Sequence, residues 1–190
     1  MSLYLTQFTS HTMNAFKYLI ENNILCLQQG LGLLQDISDD VYTHTAPPIY
    51  TSGIGDHYRH CLEHYTCFLD GFEQRAIDYD ARKRDREIAS NRAYAIQATR
   101  NIMTRLETLV GAGASFKVKM DCRLDAEAGA VWTNSTSERD LQYLQAHTIH
   151  HFALIAMIVR LQGHEPGAAF GVAPSTLTFQ NQQTQASPST

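Results

Sequence analysis

Apolar residues recur at spacings of three and four along four long stretches of the chain, the period of an α-helix with one buried face. In the first, Phe16, Leu19, Ile20, Ile24, Leu27, Leu31 and Leu34 keep that step, so a helix is expected from about Leu3 or Thr12 to Leu34, with Gly30 and Gly32 weakening its end. Pro47 and Pro48 forbid helix where they stand. Thr51 or Ser52 can then cap a second helix through about Phe72, whose apolar side carries Ile54, Cys61, Leu62, Tyr65, Phe68, Leu69 and Phe72. A third is expected from Ser90 or Asn91 to about Val110, where Gly111 and Gly113 stop it. The fourth opens on a capping-box spacing between Ser135 and Glu138, carries Leu141, Leu144, Leu154, Ile155 and Ile158, and runs to Gln162 ahead of Gly163 and Pro166.

Only one segment alternates. Phe116, Val118 and Met120 are separated by Lys117 and Lys119, the period-two pattern of a half-buried strand. Residues 125–129 read as a turn, and 130–133 as the returning strand of a hairpin. Residues 78–86 mix Asp78, Asp80, Arg82, Lys83, Arg84, Asp85 and Arg86 without an apolar period, the composition of a solvated loop or of a lip over a pocket. The expected fold class is therefore all-α: a four-helix bundle with a small β-hairpin between the third and fourth helices. Residues 1–179 form one domain, and 180–190, rich in Gln, Ser and Thr, form a polar, flexible or loosely packed tail.

Composition narrows the function. A chain of 190 residues can bury a core without disulfides or a structural zinc. A net charge of −4 and a pI near 6.1 argue against nucleic acid and against an anionic membrane surface as partners. Cys26, Cys61, Cys67 and Cys122 form no close ligand pair and read as reduced thiols. With no signal-peptide pattern and no apolar run of membrane-spanning length, a cytoplasmic location is expected. Nucleophile-elbow, P-loop, HExxH and paired-cysteine redox motifs are all missing from the sequence.

The histidines carry the chemistry. Six of the nine fall in two short windows, His57, His60, His64 and His147, His150, His151, each inside an expected helix. At about 100° per residue His57, His60 and His64 share one face of the second helix, and His147 and His151 one face of the fourth. Two such stripes can meet in a bundle and hold one metal ion, since neutral imidazole ligates zinc, nickel, copper and iron. The first choice of ligands is His60, His147 and His151, a helical i,i+4 pair closed by a third nitrogen, which leaves a position for water or substrate. His57 is the foremost substitute, and His64 stands as another. His150, turned about 100° from His151, suits a structural or supporting role. Arg59 fits an anionic substrate group or a surface ion pair equally.

Two segments give the chain a family likeness. Ser52-Gly53-Ile54-Gly55-Asp56-His57-Tyr58-Arg59-His60 and His147-Thr148-Ile149-His150-His151 together resemble the DinB-like superfamily of four-helix-bundle metalloproteins. Tyr79-Asp80-Ala81-Arg82-Lys83-Arg84-Asp85 is similar to a branch of the same group. The resemblance implies up-down-down-up connectivity and a divalent ion on His60, His147 and His151, zinc or nickel first, with iron or manganese as further choices. It implies a metal-dependent enzyme that activates water or a low-molecular-weight thiol, of thiol S-transferase or hydrolase type, acting on a small-molecule substrate. The alternative is a non-catalytic metal-binding or stress-response bundle. Pairing as a homodimer is a further implication.

Overall fold

A computed structural model of the chain describes residues 3–109, 113–122 and 131–186, with side chains from residue 15 to 185. The protein is mainly helical. α1 spans Leu3–Asp36, α2 Asp39–Thr43, α3 Ile54–Gly71, α4 Arg86–Ser90, α5 Arg92–Glu107, α6 Ser137–Leu161 and α7 Pro174–Ala186. The four longest of the core helices (α1, α3, α5 and α6) correspond to the four periodic stretches. α1 and α3 each pack against both α5 and α6.

Local chemistry sets the ends of these helices. α3 begins after Gly53, whose N–H donates to Asp56 Oδ2 at 3.2 Å, rather than at a Thr51 or Ser52 cap. Asn91 caps α5, its side chain accepting from the Tyr94 N–H at 3.1 Å. At α6 the capping residue is Thr136, the last residue of a strand, which accepts from the Arg139 N–H at 3.2 Å; Ser135, expected in that role, lies one residue earlier in the same strand.

The expected hairpin is part of a three-stranded sheet. β2, Ser115–Lys119, pairs antiparallel with β3, Trp132–Thr136, with Phe116 opposite Ser135 and Val118 opposite Thr133. The turn expected over 125–129, together with residue 130, lies outside the described residues. A third strand, β1 (Ala76–Asp78), runs parallel to β2 and places Ile77 beside Val118. The sheet packs through its buried face: Phe116 meets Phe72 at a ring distance of 5.3 Å and Phe68 at 6.3 Å.

The core joins α1, α3, α5 and α6 through Leu27, Leu34, Tyr65, Phe68, Leu106, Leu144, Phe152 and Ile155, all nearly sealed from solvent. A polar link crosses it: Tyr65 donates to Asn23 Oδ1 at 2.7 Å, and Asn23 donates to the Leu141 carbonyl at 3.1 Å. Buried polar groups need such partners, and this set ties α1, α3 and α6 together. Residues 180–186, read from composition as tail, continue α7 as helix, and that helix is largely exposed. Among the described residues no helix is long and apolar enough to cross a membrane.

Candidate metal centre

α3 and α6 pack face to face and bring their histidine stripes into one cluster. The ring of His60 lies 4.9 Å from His147, 4.6 Å from His151 and 4.5 Å from His64. His147 and His151 are 4.6 Å apart and His147 and His64 4.4 Å. His57 closes the row at the other end, its Nδ1 2.9 Å from His151 Nδ1. Five imidazoles therefore line one seam between two helices. His150, rotated off the seam, is exposed although its ring lies 5.3 Å from His151.

Ligand atoms of His60, His64 and His147 all fall within 4.8 Å of one another, and that group could hold a metal ion. His151 stands outside this tightest set despite its ring contacts. Hydrogen bonding sorts the candidates differently. Arg82 can only donate, so at 2.9 Å it fixes His64 Nε2 as an acceptor. His64 Nδ1 then carries the proton and donates to the His60 carbonyl at 2.7 Å. Both nitrogens of His64 are thus engaged. His151 uses only Nδ1, against His57, and its Nε2 can ligate with that bond intact.

His147 provides the test of fit. Its Nε2 is buried and has no hydrogen-bond partner among the described residues. Such an atom costs about 1–3 kcal/mol when left unsatisfied. A divalent ion shared with neighbouring imidazoles would satisfy it. The protonation states suit that role as well. Burial, reinforced by the neighbouring histidines, pushes His60 down to about 3 and His151 down to about 3. Burial and His64 push His147 down to about 4, and His64 itself is lowered to about 4, mainly by burial. Burial lowers His57 too. At neutral pH the whole row is uncharged, with lone pairs available to a borderline metal such as zinc or nickel.

The charged segment 78–86 forms one wall of this centre. Tyr79 is buried and stacks on His64 at 5.5 Å, and its hydroxyl donates to Asp140 Oδ1 at 3.0 Å. Burial raises the Asp140 carboxyl above its ordinary value. Arg82 reaches His64, and the Asp85 N–H donates to Glu63 Oε1 at 2.6 Å. Composition allowed a solvated loop or a lip: Lys83, Arg84 and Arg86 are exposed as in the former, while Tyr79, Arg82 and Asp85 pack inward. Arg82 and Tyr79 were not among the sequence-derived site residues; the one available signal was Tyr79 as the lone aromatic in a charged run. Arg59 forms local ion pairs, 3.3 Å from Asp56 and 4.0 Å from Glu63.

No protein-family model matches the chain, and comparisons with curated proteins and with solved structures find no significant match.

Proposed function

We propose that the α3–α6 seam holds one divalent metal ion, zinc or nickel before iron or manganese, on His60, His147 and His151. The observation that carries this reading is the buried, unpartnered Nε2 of His147 within a group of uncharged imidazoles. Distance alone favours His64 as the third ligand; hydrogen bonding favours His151, since loading it breaks no bond. In this assignment His57 accepts the second N–H of His151, the orienting partner that a ligating histidine needs. The arrangement of four long helices further supports a DinB-like bundle as the architecture behind the site.

The function that suits such a centre is metal-dependent activation of water or of a low-molecular-weight thiol for attack on a small electrophile. A bound divalent ion would lower the pKa of water towards about 7, or that of a thiol further. Around it the chain supplies one cation and one aromatic wall. Arg82 holds a guanidinium at the edge of the row, available to an anionic group, and Tyr79 keeps His64 in place by stacking.

Elemental analysis of the parent and four single alanine variants tests the assignment. About one ion per chain is expected in the parent, lost in His60→Ala, His147→Ala and His151→Ala and retained in His64→Ala. Retention in His151→Ala with loss in His64→Ala would move the third ligand to His64. A parent that takes up none of zinc, nickel, iron and manganese would end the metal reading and, with it, the enzymatic one.

A further inference from the structure

Between α3 and α5, under residues 81–85, lies a cavity of about 280 Å³. It is just below the ~300 Å³ at which small-molecule pockets begin, a size for a compact metabolite rather than a nucleotide. Its apolar lining comes from Leu62, Ile88, Ala98 and Ile102. Its charged groups are unevenly matched. Asp70 is paired with Arg105 at 2.7 Å. Asp85 is engaged as well, accepting from the Glu87 N–H at 2.9 Å and from Tyr94 Oη at 3.3 Å.

Glu63 is different. It is only 5% exposed, and while Oε1 accepts from the Asp85 N–H at 2.6 Å, Oε2 is buried with no hydrogen-bond partner among the described residues. The Arg59 guanidinium stands 4.0 Å from it, an ion-pair distance that faces its charge but gives Oε2 no hydrogen bond. A buried carboxylate oxygen without a hydrogen bond calls for a donor, and a charged N–H makes the stronger bond. On the same cavity wall Arg82 bonds an uncharged imidazole, and neither it nor Lys83 has a carboxylate partner among the described residues. A plain anion would meet Glu63, and a plain amine would leave two cations uncompensated. A ligand of both signs answers each group.

We propose that this cavity binds a small zwitterion of the α-amino-acid class. Its ammonium group donates to Glu63 Oε2, its carboxylate faces Arg82 and Lys83, and an aliphatic side chain lies along Leu62, Ile88 and Ile102. The site shares Arg82 and Glu63 with the wall of the histidine row, but none of its ligand contacts requires a metal ion. Binding is non-covalent: burial pushes the Cys67 thiol on the cavity wall up to about 11, so it stays protonated at neutral pH.

The test is an amide NMR titration of the full chain with L-leucine, L-methionine and L-cysteine, each to about 10 mM so that millimolar affinities register. n-Butylamine and acetate serve as single-charge controls, and the series is repeated with a chelator. Saturable shifts at Thr66, Ala98 and Asn101 are expected for at least one amino acid, unchanged by the chelator and absent with either control. Glu63→Gln keeps an acceptor for the Asp85 N–H but removes the charge, and should weaken binding at least about tenfold. Lys83→Glu, at an exposed position, should weaken it by a similar factor of about ten and keeps the test open if Glu63→Gln folds poorly. No saturable shift with any of the three amino acids would overturn the proposal. So would undiminished binding in the folded variants, or n-butylamine binding as tightly as the amino acids.

Discussion

His147 holds the sharpest conflict between burial and bonding in the seam, because its Nε2 is sealed from solvent without a partner. Replacing it by leucine removes the unsatisfied atom together with the proposed ligand, and the two effects separate cleanly. In chelator, His147→Leu should unfold in urea within about 1 kcal/mol of the parent or above it. In zinc at a hundredfold excess over Kd, the parent should gain about 2.7 kcal/mol and the variant nothing. Acid should expose the row as a whole. Unfolded histidines titrate near 6.5, whereas His60, His64, His147 and His151 are held down to between about 3 and about 4. Below about pH 6.5 the unfolded chain therefore binds more protons than the folded one, so stability falls as pH drops towards 4. Thermal melts in chelator should show this decline, and it should be shallower in a His60→Ala, His151→Ala double variant. These residues were legible in sequence because helical spacing alone puts them on two facing stripes. Arg82 and Tyr79 were not, since their approach to His64 depends on the path of an irregular segment that no periodicity describes.

Among the elements, β1 shows where pattern reading stops. Three residues, one of them buried, cannot display a period of two, and Ile77 is flanked by the charged run that follows it. The long helices were legible because each repeats its apolar step for several turns. Their packing partners left no comparable trace, as with α4 on the first turn of α3. A Cβ on Gly55 would run into the Ala89 carbonyl and crowd the Tyr42 ring. Gly55→Ala should therefore displace α4 and cost about 1–3 kcal/mol in urea unfolding. Replacing the α5 cap, Asn91→Ala, should cost about 1 kcal/mol without touching that contact.

For the whole molecule, the core ends before the chain does. Phe170 is buried and stacks on Phe152 at 4.8 Å, whereas α7 beyond it exposes Phe179 and most of its other side chains. Phe170→Ala should cost about 3–5 kcal/mol, while truncation after Ala173 should leave the melting temperature of the remainder nearly unchanged. Composition marked the polar end of α7 but could not separate an exposed helix from irregular chain, because both keep polar side chains in water. The segment that walls the histidines is fastened more firmly than α7. At one end the Tyr79 N–H donates to the Lys119 carbonyl at 2.9 Å as β1 runs out beside β2, and at the other Asp85 is tied to Glu63. With both ends moored, Arg82 can release His64 only by turning about its own side-chain bonds. Access to that imidazole is then set by rotation of one half-buried, hydrogen-bonded side chain and not by the swing of a loop.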